Sequence, residues 1–358
     1  MAARNIVHGL SPYIGGQLPN PSYPPEIQGI GETPLWPLYL SLPYTASGGS
    51  LFTFNALSKI PILVSCFLAY VVVSRLGVGG APFYILNPYV LLTSVAWGKP
   101  DLVASLVAIA ALLLVERRHL SALLMAVSLN IKPLGLGLVP AIASYLGARR
   151  GAGYVAELLL LSAAIFAAPF VLLGWEAPTT PQGLSNWLSE VGGISPTNLI
   201  DYLYGWDWGR RSPLGPIIGF FWLAAFGLSA LAVFLTRPST TSGLMRCSLL
   251  GSTVFILLRP SVSEQNLILP LMLLHLTVGG PPRTRLWGSI LLFAVLNLSI
   301  PQLLYPVYPE IVPDIYRLTA GIEAPRLLAR FGASILFYSI YFSDLIRVMR
   351  VCGSSRRG

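Results

Sequence analysis

Long apolar blocks separated by short polar turns occupy most of the chain from residue 55 onward. A transmembrane helix needs about 20 apolar residues, and shorter apolar helices are tolerated where they line a cavity inside the protein. The blocks lie at 55–75, 83–97, 101–115, 119–133, 134–147, 154–174, 214–236, 245–259, 265–279, 285–304 and 329–348. The pattern therefore predicts an all-α integral membrane bundle of about 11 transmembrane helices, some of them short or broken.

The amino-acid composition excludes several other classes of protein. Charged residues make up 10% of the 358 residues and hydrophobic residues 54%, with a mean hydropathy of +0.69. Ordinary soluble domains carry about 25% charged residues, so a cytosolic enzyme is excluded, and so is a disordered chain. The net charge of +9 comes from basic residues in small clusters between apolar blocks, which is typical of membrane topology signals and not of nucleic-acid binding.

The basic clusters also predict an orientation in the cell membrane. The arginine pairs at 117–118 and 149–150 lie in alternate loops, which the positive-inside rule places in the cytoplasm. Residues 1–54, rich in Pro and Gly, then form an extracytoplasmic first loop, residues 55–348 a multi-pass membrane domain, and residues 349–358 a cytoplasmic tail. Because an outside N-terminus without a preceding helix is unusual, we expect one upstream helix to be missing.

Metal and disulfide chemistry have little support. The three cysteines and three histidines form no spaced set. We therefore expect no cofactor and no His or Cys metal site, although carboxylates could still hold a divalent cation.

The first candidate motif is Trp97-Gly98-Lys99-Pro100-Asp101, between two apolar blocks. Lys99 and Asp101 flank a proline turn, so they could present a cation and a carboxylate to one ligand. The alternative is an interfacial turn in which Asp101 caps the next helix.

The second candidate motif is Asn130-Ile131-Lys132-Pro133, with apolar residues on both sides. A Lys in this setting costs a few kcal/mol unless it is paired or lines water. Because Pro133 breaks the helix beside Lys132, a ligand-facing Lys is favoured over one that snorkels to the interface.

The third candidate motif runs from Arg259 to Asn266 and reads Arg-Pro-Ser-Val-Ser-Glu-Gln-Asn. A plain turn does not need so many polar groups. Arg259 suits a phosphate, and Glu264, Gln265 and Asn266 suit sugar hydroxyls or a metal ion. All three motifs and Tyr13 are predicted on the outer face, where they describe a site for a lipid-linked sugar phosphate.

These segments resemble a known family. Asn87-Pro88, the Trp97–Asp101 motif and the Asn130–Pro133 motif look like segments of the GT-C superfamily of integral-membrane glycosyltransferases, particularly mannosyltransferases that use polyprenyl-phosphate sugars. Residues 263–266 are similar to an outer loop of those enzymes, and residues 3–13 resemble the stretch after their first helix. The resemblance implies transfer of a hexose, with mannose the expected sugar, from a polyprenyl-phosphate donor to a lipid- or protein-linked acceptor.

The site residues expected on this basis fall into two groups. Asp101 and Glu264 are the expected catalytic carboxylates, and the expected substrate- and phosphate-binding residues are Lys99, Lys132, Arg259, Gln265, Asn266 and Tyr13. The aromatic loop 175–213 either covers the acceptor site or belongs to an interfacial aromatic belt.

One departure from the family leaves alternatives open. The usual catalytic acidic residue precedes the Gly-x-x-Pro-Tyr stretch, and no acidic residue precedes Gly9 here. Glu26, Glu32 or Asp101 could replace it, or the protein could be a catalytically inactive homologue. A transporter or lipid flippase is the rival from another class, because intramembrane charges and broken helices also mark transport paths.

Overall fold

The computed structural model describes residues 2–13, 33–175, 192–197, 199, 215–279, 283–297 and 312–354. Within this part nearly all regular structure is helical. The α-helices are α1 (Ala2–Val7), α2 (Leu35–Ala46), α3 (Leu51–Ser58), α4 (Ile60–Arg75), α5 (Phe83–Leu86), α6 (Pro88–Val90), α7 (Asp101–Leu113), α8 (Arg118–Ile131), α9 (Val139–Leu146), α10 (Ala148–Leu173), α11 (Gly215–Thr236), α12 (Thr241–Leu257), α13 (Ile268–Val278), α14 (Thr284–Asn297) and α15 (Val312–Ser354). The extended elements are the two-residue strands β1 (Gly192–Gly193) and β2 (Ser261–Val262), which pair in parallel.

Among the described residues, four helical segments are long and apolar enough to cross a membrane, at Leu51–Arg75, Ala148–Leu173, Pro216–Thr236 and Pro325–Met349. The number rises to five if Pro88–Ala96 and Asp101–Leu113, which meet at a bend of 108°, form one broken span. The chain is thus a helical membrane protein, as the apolar pattern predicts. Several other blocks form helices that are too short to span a bilayer alone.

The predicted block 83–97 is not a single helix. It consists of α5, α6 and a π-helical turn at Leu91–Ala96, because Pro88 removes a backbone donor in mid-block and starts a new helix. The predicted boundary at residue 54 also differs, since α3 begins at Leu51 behind a Ser50 cap. At the other end, helix α15 continues to Ser354, into the predicted tail.

Helices α7 and α8 form an antiparallel hairpin at the centre of the bundle. The Ser121 hydroxyl donates to the Ala111 carbonyl at 2.7 Å, and the Ser128 hydroxyl donates to the Ala104 carbonyl at 2.8 Å. The hairpin places Asp101 and the end of α8 at one end of the bundle, and the 114–117 turn at the other. With 13 residues, α7 is about 20 Å long, against about 30 Å for the hydrocarbon core.

Helix α12 makes a close backbone contact with the segment that follows the hairpin of α7 and α8. A Cβ atom at Gly251 of α12 would lie 2.1 Å from the Gly137 carbonyl oxygen, in the 3₁₀ segment Pro133–Leu138 that follows α8. Only glycine permits this approach, because the obstructing atom belongs to the backbone and cannot rotate away. The segment that follows Lys132 is therefore held in place by packing against α12.

Candidate functional site

Asp101, in the first motif, is the most deeply buried of the predicted site residues. It contacts a residue of the second motif and a residue of the third motif directly. Its side chain is 0% exposed, and its carboxylate accepts hydrogen bonds from Lys132 Nζ at 2.9 Å and Asn266 Nδ2 at 2.7 Å. The alternative in which Asp101 caps its helix is wrong, because Pro100 occupies the cap position and makes no side-chain cap bond. The carboxylate instead binds residues far away in sequence.

Local backbone geometry explains the position of Lys132. Residue 132 is extended, with φ −163° and ψ 135°, because the ring of Pro133 disfavours a helical residue before it. Helix α8 therefore ends at Ile131, and the Lys132 side chain lies beside the first turn of α7. The side chain keeps 16% exposure, and its ammonium group is paired with Asp101.

Glu264 lies in a second polar cluster next to the first. Its side chain is 2% exposed, and its Oε1 accepts a hydrogen bond from Asn297 Nδ2 at 3.0 Å. Arg330 Nη1 donates to Asn297 Oδ1 at 3.1 Å, and the Tyr89 hydroxyl donates to the Glu264 backbone carbonyl. Asn297 thus bridges a carboxylate and a guanidinium group in the interior of the bundle.

The electrostatics of Glu264 follow from its burial. Glu264 belongs to the 3₁₀ turn Glu264–Leu267 that joins α12 to α13. Burial raises the pKa of the Glu264 carboxyl above its usual value, and the nearby charge of Asp101 acts in the same direction. The hydrogen bond from Asn297 and the charge of Arg330 lower that pKa and offset part of the shift. A carboxyl with a raised pKa is a stronger base once it ionises, which suits proton abstraction.

The side chains of Gln265 and Lys99 form fewer hydrogen bonds and ion pairs with the described residues than those of Asp101 and Glu264 do. Gln265 is 8% exposed, and its side-chain amide bonds to none of the residues that the structure describes. Lys99 is partly buried and likewise makes no ion pair or hydrogen bond within the described chain. Within the described part of the chain, both side chains therefore have polar atoms that could bind a ligand.

Arg259 and Tyr13 lie against aromatic rings. The Arg259 guanidinium carbon lies 5.9 Å from the centre of the Trp222 ring, and this ring contact does not join Arg259 to the two carboxylates. Tyr13 is 8% exposed and stacks on Phe170 with ring centres 5.6 Å apart. The edge of Trp175 also packs on Tyr13, at 6.1 Å. These contacts place Tyr13 beside the end of α10.

Part of the predicted outer loop 175–213 is fixed beside the Glu264 turn. Gly193 has a φ of +63°, and a Cβ atom there would lie 2.1 Å from the Val262 carbonyl oxygen. The Ile194 amide donates to the same carbonyl at 2.7 Å, and the Thr197 hydroxyl donates to the Pro260 carbonyl. Residues 192–197 therefore hold the backbone of the third motif in place. Most of the loop, including its aromatic residues from 187 to 208, lies outside the described residues, as do Glu26 and Glu32.

The site includes three residues that the sequence does not predict, namely Tyr89, Asn297 and Arg330. Arg330 is 5% exposed in the helix that contains the predicted block 329–348. A charged residue within an apolar block is by itself an indication of function, so Arg330 could have been found from the sequence. Tyr89 and Asn297 carry no such signal, because single polar residues are common at helix ends.

The paired basic residues lie at the opposite end of the bundle. His119 Nδ1 lies 2.7 Å from Glu157 Oε1, and Arg118 Nε lies 3.4 Å from Glu157 Oε2. Arg283 and Asp344 form another ion pair at this end. The carboxylate and amide cluster is thus separated from the arginine-rich turns by the length of α7 and α8.

The comparisons with known proteins leave the site to be interpreted from its geometry. No protein-family model matches the chain, and no curated protein matches it. Among the described residues, no three His, Cys, Asp or Glu side chains are grouped so as to hold a metal ion.

Proposed function

We propose that this protein is a membrane glycosyltransferase of the GT-C type that transfers a hexose from a polyprenyl-phosphate donor to a lipid- or protein-linked acceptor. The observation that carries the proposal is the contact of Asp101 with both Lys132 and Asn266, the second of them 165 residues away in sequence. Three motifs that resemble the same family thereby supply neighbouring side chains. Mannose is the sugar that the family resemblance favours.

The proposed reaction is an inverting displacement at the anomeric carbon. A carboxylate accepts the proton of the acceptor hydroxyl while the new bond between carbon and acceptor oxygen forms. The bond from the anomeric carbon to the phosphate oxygen breaks, and the polyprenyl phosphate leaves as an anion. Glu264 is the preferred base, because both oxygens of Asp101 are engaged by Lys132 and Asn266.

Lys132 is the proposed phosphate-binding cation of the site. Its side chain is 16% exposed, and Asp101 holds the ammonium group at the broken end of α8. A fixed cation stabilises the charge that develops on the leaving phosphate. Gln265 and Lys99 add uncommitted donors near the same motifs, and Arg259 is proposed to reach the phosphate from its position on Trp222.

The finer topology belongs to the same proposal. We propose about 11 membrane-embedded helical segments in the cell membrane, with the carboxylate cluster on the extracytoplasmic side and the C-terminus in the cytoplasm. Cysteine labelling in sealed cells tests the orientation, with exposed Thr45 and exposed Arg149 replaced separately by Cys. An impermeant maleimide should label position 45 and spare position 149, and the reverse pattern would contradict the orientation.

The activity is tested with a radiolabelled polyprenyl-phosphate mannose donor and membranes that contain the full chain. Transfer should fall by about 10²- to 10⁴-fold in Glu264→Gln, the range for loss of a general base. Lys132→Met should weaken donor binding, whereas Arg75→Met, which removes an exposed cation at the opposite end, should match the wild type.

Two other outcomes would redirect the interpretation. Donor binding without transfer in the wild type would indicate a catalytically inactive GT-C-like protein. Movement of the labelled lipid across vesicle membranes without sugar transfer would favour the flippase, which also fits the 108° break between Pro88–Ala96 and Asp101–Leu113.

A further inference from the structure

A cleft of about 510 Å³ opens at the arginine-rich end of the bundle, far from Asp101. It lies where α8 and α10 begin, and its lining residues are Glu116, Arg117, Arg118, His119, Leu120 and Arg150. The cleft shares none of these residues with the carboxylate cluster. Its function is therefore a separate question from that of the proposed transfer reaction.

Some charges of the cleft are balanced internally. Glu157 of α10 faces both Arg118 and His119, at 3.4 and 2.7 Å respectively. Glu116 accepts a hydrogen bond from the Tyr145 hydroxyl at 2.7 Å. Glu157 is therefore paired with basic side chains, whereas Glu116 keeps its negative charge in the lining of the cleft.

The positive charges of two further arginines, Arg117 and Arg150, are not paired with a carboxylate in this way. Arg117 and Arg150 are exposed, and neither forms an ion pair or hydrogen bond with another residue of the described chain. They approach the cleft from different helices, one beside the start of α8 and the other in the first turn of α10. The cleft thus presents two guanidinium groups outside the ion pairs of the described residues, in a lining that holds three arginines and one glutamate.

The walls of the cleft are positioned by tight packing. A Cβ atom at Gly153 would lie 3.2 Å from Arg118 Nη1, so the guanidinium group of Arg118 lies close against α10. A Cβ atom at Gly151 would lie 2.1 Å from the Ala143 carbonyl oxygen, which fixes α10 against α9. The helix packing therefore sets the relative position of the backbone segments that carry the arginines.

Apolar side chains continue from the cleft along the bundle surface. Leu120 lines the cleft, and Leu120 and Leu123 of α8 are 38% and 42% exposed. On α10, which is long and apolar enough to cross a membrane, Leu159 and Leu160 are 63% and 73% exposed. A ligand with a charged head and apolar chains would match both parts of this surface.

We propose that the cleft binds the phosphate-bearing headgroup of an anionic phospholipid. Guanidinium groups pair with phosphate oxygens through two parallel hydrogen bonds, which lysines cannot reproduce. Basic pockets between membrane helices are suited to such headgroups. The exposed leucines favour a lipid over free phosphate, because they would contact acyl chains that inorganic phosphate lacks.

The positive-inside rule gives a competing explanation that makes a different prediction. The rule depends on the number of basic residues at one end of the spans, and not on their arrangement. If it accounts for Arg117 and Arg150 completely, other exposed arginines of the same end should contribute equally to lipid binding. Arg75 and Arg237 are exposed at that end and do not line the cleft, so they provide the matched control.

The experiment measures binding of phosphatidylglycerol to the purified full-length protein in detergent by native mass spectrometry. Phosphatidylcholine and inorganic phosphate are titrated in parallel. The double variant Arg117→Gln/Arg150→Gln should bind phosphatidylglycerol about 30-fold more weakly than the wild type, on the basis of about fivefold for each arginine. Arg75→Gln/Arg237→Gln should retain wild-type affinity, and phosphatidylcholine should not distinguish the three proteins.

Three results would overturn the proposal. Equal losses in both double variants would assign the effect to total charge. Unchanged affinity in Arg117→Gln/Arg150→Gln would remove the cleft as the site, provided that the variant retains the wild-type unfolding midpoint in lipid-free detergent. Saturation by inorganic phosphate at the same affinity as phosphatidylglycerol would identify a site for the free anion.

Discussion

The ion pair between Asp101 and Lys132 gives the sharpest test of the site geometry. Asp101 is 0% exposed and the Lys132 side chain 16% exposed, with the charged atoms 2.9 Å apart. At an effective dielectric constant of about 20, two unit charges at this separation attract each other by about 6 kcal/mol. Desolvation of both groups offsets most of this attraction, so the net stabilisation by the pair is expected to be small.

Removal of one partner has a different consequence from removal of both. Asp101→Asn leaves the Lys132 ammonium group without this counter-charge, and Lys132→Met leaves a fully buried carboxylate without its cation. Each single change should lower the free energy of unfolding by about 3 kcal/mol or more. The double variant Asp101→Asn/Lys132→Met should recover most of this loss, which gives a coupling energy of at least about 2 kcal/mol.

The measurement is SDS-induced unfolding in mixed micelles, followed by the fluorescence of the eight tryptophans. The Arg118–Glu157 pair provides a matched control, because its side chains are 30% and 23% exposed and the charged atoms lie 3.4 Å apart. A double-mutant cycle on that pair should give a coupling below about 1 kcal/mol. Additive effects of Asp101→Asn and Lys132→Met, within about 0.5 kcal/mol, would refute the reasoning.

Further predictions concern the base and the helix packing. If Glu264 is the base, sugar transfer should rise with pH as its carboxyl ionises, with a midpoint above the ordinary glutamate value of 4.5, because burial raises the pKa. Arg330→Met should shift that midpoint to still higher pH, because the charge of Arg330 lowers the pKa of Glu264, and an unchanged midpoint would contradict the assignment. Gly251→Ala should lower the free energy of unfolding by about 1–3 kcal/mol, because the new methyl group would meet the Gly137 carbonyl. Gly227→Ala, on a helix surface with no atom within 4 Å, should be neutral or stabilising by up to about 1 kcal/mol, and similar losses in both variants would rule out the packing explanation.

The sequence predicts the spatial grouping of several site residues. Asp101, Lys132, Arg259 and Glu264 are expected to converge, because each is a polar group at a helix end that a plain turn does not need. The ion pair between Asp101 and Lys132 agrees with this prediction, and the charge interaction between Asp101 and Glu264 places the second carboxylate nearby. Asn266, which also contacts Asp101, lies outside the predicted group. The predicted contact of Arg259 with the same group is not among the contacts described.

The sequence by itself determined that this is a helical membrane protein, and it determined the positions of most helices. Apolar runs report local burial and proline reports local breaks, so block 101–115 corresponds closely to the helix Asp101–Leu113. The same local signals could not show that block 83–97 is divided, or that Asp101 binds Lys132 and does not cap its own helix. Only the tertiary structure brought Tyr89, Asn297 and Arg330 to Glu264, because hydrogen-bond partners on different helices depend on how the helices pack and leave no pattern within one segment.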